Sequence, residues 1–239
     1  MRKKRLLLAR PTYGDIDPKA SKALNIAMMT AAHDHVTWVD DVSFDREAWA
    51  KSRNMSHSAA ILHPDADGVL WTDDDMVPSP TAIAQLISAD KNFVSALCFE
   101  RRPPYKPTFA RGSQEKGYNR GKRWPDDSLI QVDAVGFGFV YTSMTLLLAV
   151  GPNPFTGNLG EDYRFCQKAV NLGFTPWVDT GCHVGHLGER VVIDQRDFLM
   201  HSGKFKASGT LPADRDPNRR EEPVMKAPRQ PGSKQETVN

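Results

Sequence analysis

Long apolar runs are missing from this chain. The longest, such as Leu6 to Ala9 and Leu146 to Val150, fall far short of the roughly 20 residues that cross a bilayer, so no membrane span is expected. The basic start Met1-Arg2-Lys3-Lys4-Arg5 is followed by only Leu6, Leu7, Leu8 and Ala9 before Arg10, too short for the apolar region of a signal peptide. Cysteine is scarce: Cys98, Cys166 and Cys182 are an odd number at wide spacing, which argues against a disulfide framework and for a reducing, cytoplasmic setting. Neither sign of charge dominates, for the net is only +2. With 40% hydrophobic and 25% charged residues over 239 positions, wholesale disorder and fibrous architectures are excluded. The length fits one α/β domain with a tail.

What is present is an alternation of short apolar runs and helical-length stripes, the pattern of βα units laid into a mostly parallel sheet. Strands are expected near Leu6–Ala9, Val36–Val39, Gly68–Thr72 and Phe93–Cys98. Lys19–Ala32 carries Ala20, Ala23, Leu24, Ala27, Met28 and Ala31 at helical spacing. Asp45–Leu62 and Pro80–Ser88 read as helices too, with Ser79 as the N-cap of the second. Residues 100–127 break into Pro, Gly, Arg and Lys, a loop long enough to be functional. Strands at Gln131–Val135 and Phe139–Thr142, a helix at Glu161–Leu172 and a strand at Thr175–Val178 follow. Residues 1–200 are thus expected to form the domain and 201–239, poor in apolar side chains, a flexible tail.

The densest chemistry lies in Val69-Leu70-Trp71-Thr72-Asp73-Asp74-Asp75-Met76. A buried-type strand delivers three consecutive carboxylates at its C-terminal end, where open α/β sheets bind ligands. Adjacent carboxylates repel one another unless solvent or a cation compensates, and hard oxygen ligands suit Mg²⁺ or Mn²⁺. A solvated acidic turn is the plainer reading of the same residues.

An apolar strand ending in Asp-x-Asp resembles the DxD motif of GT-A glycosyltransferases. Downstream, Gly160-Glu161-Asp162-Tyr163-Arg164-Phe165-Cys166 resembles the GED-x-x-F-C helix of the family 2-like transferases of phages and bacteria. Gly173-Phe174-Thr175-Pro176-Trp177-Val178-Asp179, Val184-Gly185-His186-Leu187-Gly188 and the glycine segment Val132 to Phe139 are similar to further segments of that family, in its order. The resemblance implies a GT-A, Rossmann-like fold that transfers a sugar from a nucleotide-sugar, a UDP-sugar by preference, to an acceptor hydroxyl. It implies Asp75 and His186 as ligands of Mn²⁺ or Mg²⁺. Asp73 would touch the metal or the ribose, with Asp74 beside it. Asp162 becomes the general base of an inverting reaction and Glu161 its neighbour. Pro11 and Tyr13 after the first strand, and Asp40 ending the second, fall where such enzymes receive the nucleobase. Arg53, in an Arg53-Asn54 pair, would face the diphosphate or brace the carboxylates. His183 rivals His186, and with Cys182 the two histidines also suggest zinc, though a second ligand cluster is lacking. The Asp-Gly-Ser-like turn usual after the second strand is replaced by Asp40-Asp41-Val42-Ser43.

Residues 101–123 hold eight cations (Arg101, Arg102, Lys106, Arg111, Lys116, Arg120, Lys122 and Arg123) against the one acid Glu115, a net of +7. Tyr105, Phe109, Tyr118 and Trp124 are interleaved, a composition suited to phosphate backbones and base stacking. It implies a polyanionic acceptor, with DNA carrying a hydroxymethylated base as the sharpest version, or a loop that closes over the donor's diphosphate. Two other classes fit less of the chain: a haloacid-dehalogenase-like phosphatase using Asp73 and Asp75, and a non-catalytic protein that binds sugar or nucleic acid.

Overall fold

Leu6 and Leu8 face one side of a central sheet and Leu7 and Ala9 the other, each within its own buried apolar cluster, so the first strand is covered on both faces. The computed structural model describes residues 2–202 apart from Tyr13, Asp15, Asp45, Arg46, Gln114, Lys122, 157–159 and 189–191. All of these lie within one compact unit, Met1–Lys206.

In chain order the elements are β1 (Lys4–Ala9), α1 (Pro18–Asp34), β2 (Val36–Asp41), α2 (Trp49–Ala60), β3 (Gly68–Thr72), β4 (Met76–Pro78), α3 (Ala82–Ser88) and β5 (Phe93–Leu97). They continue with β6 (Ala110–Ser113), β7 (Gly117–Arg120), β8 (Leu129–Gln131), β9 (Phe139–Ser143), α4 (Met144–Ala149), α5 (Glu161–Asn171), β10 (Trp177–Leu187), β11 (Val192–Ile193) and α6 (Gln195–His201). The main sheet runs β11-β10-β5-β9-β3-β1-β2. From β2 to β10 every strand points the same way except β9, which is antiparallel to both β3 and β5. The sheet is therefore mostly parallel. β3, β5 and β9 are buried along their whole length, as strands covered on both faces must be.

Local chemistry accounts for the helix starts. Asp17 precedes α1, its carboxylate accepts from the Lys19 amide at 2.7 Å, and Pro18 opens the first turn; a cap of this kind contributes about 1 kcal/mol. Ala20, Leu24, Ala27 and Ala31 are the buried stripe of α1. α3 starts at Ala82 with Thr81 as its N-cap, so Ser79 and Pro80 lie in the preceding turn rather than at the cap. At the foot of β3 the chains approach so closely that a Cβ on Gly68 would meet the Thr142 carbonyl oxygen at 2.3 Å.

Several expected boundaries move. The strand expected over Gln131–Val135 is the shorter β8, with Ala134 forming an isolated bridge to Ala110. The strand expected to end at Val178 runs on to Leu187, because its pairing shifts after Asp179 and its second half leaves β5 for β4 and β11. The 100–127 excursion is not wholly irregular, for β6 and β7 form a hairpin within it. No helix among the described residues is long and apolar enough to cross a membrane. Of the expected tail, His201 closes α6 and residues 203–239 lie outside the described residues.

Candidate active site

Parallel strands send their C-terminal ends to one edge, and Ala9 pairs with Trp71 there, so Arg10 and Pro11 leave the sheet where Thr72 and Asp73 do. The Asp73 amide donates to the Gly138 carbonyl at 3.0 Å, tying the acidic turn to the glycine segment before β9. On the adjoining face, Arg53 projects from α2 and is only 3% exposed. Its guanidinium donates to Asp73 at 2.8 Å, to Glu161 at 2.7 Å and to Asp162 at 2.6 Å. It rests 5.7 Å above the centre of the buried Phe137 ring, whose backbone amide donates to the other Asp162 oxygen at 3.0 Å. Below lies an aromatic cluster in which Phe137 packs on Trp71, Phe93, Phe155 and Phe165.

One arginine facing three carboxylates leaves the group short of positive charge. Burial pushes the Asp162 carboxyl up to about 6 although Arg53 pulls it down, with Glu161 and Asp73 adding to the rise. Asp73 is likewise raised by burial, against the pull of Arg53. The same carboxylates hold the Arg53 proton more firmly than burial loosens it, so Arg53 stays charged.

Asp75 has a different set of partners. The shifted register of β10 sets His186 opposite Met76, which brings its Nε2 to 3.2 Å from one Asp75 oxygen. Arg101 donates to the other oxygen at 2.8 Å. The His186 Nδ1 lies 2.7 Å from the Phe99 carbonyl; a carbonyl only accepts, so Nδ1 carries hydrogen. In the neutral ring, Nε2 then turns a bare lone pair toward a carboxylate oxygen, an arrangement stable only with a proton or a cation between them. Burial opposes protonation of His186, yet Asp75 outweighs it and raises the pKa. Burial pushes Asp75 up, but His186, with Arg101 adding to it, outweighs burial and lowers the pKa.

These donors fit a divalent cation in part. A carboxylate and an imidazole whose free nitrogen is fixed by its second hydrogen bond are the donor types such ions take. The full triad does not assemble: Asp73 turns to Arg53 while Asp75 turns to His186, and no three His, Cys, Asp or Glu side chains form a cage among the described residues. Asp75 and His186 would hold the ion, the remaining positions falling to water or to phosphate oxygens. His183 is exposed, three residues from His186 and so on the opposite face of β10. Cys182 is buried with its thiol toward Ala82, which removes the zinc arrangement.

The other expected residues distribute as follows. Asp74 sits half-buried in the turn beside Asp73 and Asp75, and Pro11 is buried at the edge. Tyr13 lies outside the described residues. Asp40 is exposed, pairs in register with Leu7 and sits 3.7 Å from His63, so it stops short of the edge where Pro11 emerges. Closer to that edge are Asp41, which accepts from the Ser43 amide at 2.9 Å, and Ser43, whose hydroxyl accepts from the Arg10 amide at 2.7 Å. The loop aromatics are spoken for as well. Phe109 is buried, Trp124 packs on Phe99, Phe109 and Phe198, Tyr118 meets Tyr163, and Tyr105 meets His201. Phe109 is thereby removed from base stacking by burial, while Tyr105, Tyr118 and Trp124 stay half-buried. Sequence reading missed Arg101 as a partner of Asp75; nothing local distinguishes it from Arg102. A cleft of about 560 Å³ along α2, lined by Phe44, Met55, Leu62 and Asn153 among others, includes none of the carboxylates.

No protein-family profile matches the chain, and no curated protein matches its sequence. Solved structures do match. The protein A197 from STIV superposes with a TM-score of 0.56 at 16% identity, covering 81% of this chain and 91% of that one. A crystal structure of GalNAc-T7 with UDP, GalNAc and Mn²⁺ superposes with a TM-score of 0.54 at 12% identity, covering 75% of this chain and 42% of that one. The fold is GT-A-like. The chain spans less than half of GalNAc-T7, and identities this low bear on fold. A GT-A-like sheet with two βα units ahead of the acidic turn also leaves the dehalogenase-like phosphatase without its scaffold.

Proposed function

We propose that the chain is a glycosyltransferase of family 2-like, GT-A type that transfers a sugar from a nucleotide-sugar to an acceptor hydroxyl with inversion. The observation that carries this reading is the meeting of Asp73, from the β3 turn, with Glu161 and Asp162, some 90 residues later in the chain, around the buried Arg53, while Asp75 of the same turn faces His186 and Arg101 beside them. Separate elements seldom converge four acids on one edge without a polar ligand to serve. Supporting it is a fold neighbour crystallised with UDP, GalNAc and Mn²⁺.

Asp162 is the base. Its pKa of about 6 leaves it ionised at neutral pH yet basic enough to take a proton. Each oxygen keeps a lone pair beyond its bond to Arg53 or to the Phe137 amide. The acceptor O–H proton passes to Asp162 as oxygen bonds the anomeric carbon, and the bond from that carbon to the β-phosphate oxygen breaks, its electron pair leaving with the nucleoside diphosphate. Arg53 keeps Asp162 oriented, and Glu161 sits beside it to hold the acceptor. When bound at Asp75 and His186, Mn²⁺ or Mg²⁺ supplies charge stabilisation for the departing diphosphate. UDP is the nucleotide favoured for the donor, received near Pro11 and Ser43.

The exposed cations Arg102, Lys106, Arg111, Lys116 and Arg123 favour a polyanionic acceptor, DNA included, held through its phosphates. Duplex affinity that falls steeply with salt supports that acceptor, and salt-insensitive binding removes it. The main reading is tested by Mn²⁺-dependent hydrolysis of UDP-sugars in the absence of acceptor. Turnover that stops with a chelator and drops at least about 100-fold in Asp75→Asn is expected. Absence of turnover for every activated sugar would favour the non-catalytic alternative, and chelator-resistant turnover would remove the metal.

A further inference from the structure

Among the described loop cations, Arg101 alone reaches the acidic turn, and it occupies an oxygen of the carboxylate on which the proposed metal depends. The backbone around it is closed: the Glu100 amide donates to the Lys106 carbonyl at 2.9 Å, the Tyr105 amide to the Arg102 carbonyl at 2.9 Å, and Glu100 is ion-paired to Arg120. Phe99, immediately before, is buried against Trp124 and Phe198. The root of Arg101 is thus fixed while its side chain, 56% exposed, is held at the tip by Asp75. Such an arm can change partners by rotating about its own side-chain bonds, with no movement of the loop.

The carboxylates supply the reason to change. Asp73, Glu161 and Asp162 share the single charge of Arg53, while Asp75 faces Arg101 and His186, so these acids outnumber the cations that face them, an excess of negative charge that favours a divalent cation. A compact dication outcompetes a half-exposed guanidinium for Asp75. The freed guanidinium is then left beside a cation that carries a diphosphate, and a planar fork of N–H donors matches phosphate oxygens well.

We propose that Arg101 is a tethered placeholder for the cation at Asp75 and, once displaced, a ligand of the donor's diphosphate, so that metal and nucleotide binding are coupled through one side chain. This rests on the glycosyltransferase reading above. Removing Arg101 then has opposite effects on the two ligands. Without nucleotide, Arg101→Gln binds Mn²⁺ about two- to fivefold more tightly than the unaltered protein, the worth of a lost exposed ion pair. With Mn²⁺ saturating, it binds UDP about tenfold more weakly, the worth of a charged hydrogen bond.

Mn²⁺ binding is read from the electron paramagnetic resonance signal of the free aqua ion, and UDP binding by calorimetry. Arg102→Gln is the charge control, with Asp75→Asn as the metal control and circular dichroism to verify folding. Equal Mn²⁺ affinity in Arg101→Gln and the unaltered protein overturns the placeholder. Equal UDP affinity, or an equal loss in Arg102→Gln, overturns the phosphate role. If instead no Mn²⁺ binds, or Asp75→Asn binds it unchanged, the metal site itself is wrong and the proposed function falls with it.

Discussion

Arg53 is the residue on which the site's electrostatics turn. Buried at 3% exposure, it is the only contact the Glu161 carboxylate makes with a cation among the described residues, and it shares Asp73 and Asp162 as well. Replacing it with methionine keeps most of the packing against Phe137 but leaves three crowded acids without a counter-charge. Such a loss costs about 3 kcal/mol. The sign of its pH dependence follows from the acids: without Arg53 they bind protons more tightly in the folded state, so stability is lost as pH rises. Urea unfolding of Arg53→Met is expected to show the larger deficit at pH 8 than at pH 5, and an equal deficit would contradict this account. Asp162 gives a second prediction. A base works ionised, and with its pKa raised to about 6 kcat/KM should fall tenfold per pH unit below about pH 6 and level off above it. Asp162→Asn should lower kcat by about 10²–10⁴ and abolish that limb of the profile.

At the scale of elements, α2 serves two ends through neighbouring residues. Arg53 reaches the carboxylates, while Asn54 clamps the chain ahead of α5: its side-chain amide donates to the Phe155 carbonyl at 2.8 Å, and its oxygen accepts from the Phe155 amide at 3.0 Å. Phe155 in turn packs on Trp71, Phe137 and Phe165 beneath the site. Asn54→Ala strands both backbone groups and is expected to destabilise by about 1–3 kcal/mol, measured as a shifted denaturation midpoint with an unchanged slope. β10 is the other element that builds the site, and it does so by changing partners midway. Val178 pairs with Ser95 of β5, but eight residues on His186 pairs with Met76 of β4. The register shift between them carries the histidine to Asp75.

For the molecule as a whole, ligand binding and folding are linked, because the site draws on α2, the β3 turn, α5 and β10 and exists only when all are assembled. With Mn²⁺ present throughout, UDP at about 100 times its Kd adds roughly 2.7 kcal/mol, or about 5–10 °C in Tm for a domain of this size. Asp75→Asn should cancel the shift while Asn54→Ala keeps it, since the first removes a ligand contact and the second lowers stability alone. A shift retained in Asp75→Asn would place the nucleotide elsewhere. Much of this protein was readable from its residues. The buried strand Gly68–Thr72, the stripe of α1 and the acidic start of α5 are local patterns, set by side-chain periodicity and by where a carboxylate can sit on a helix. The separation of Asp73 from Asp75 was not readable, nor the inward packing of Phe109 and Trp124, or the grip of Arg101 on Asp75. Periodicity assigns a residue to a face of its own element, whereas a partner some 90 residues away is decided only when the sheet closes and burial makes each charge find its counter-charge.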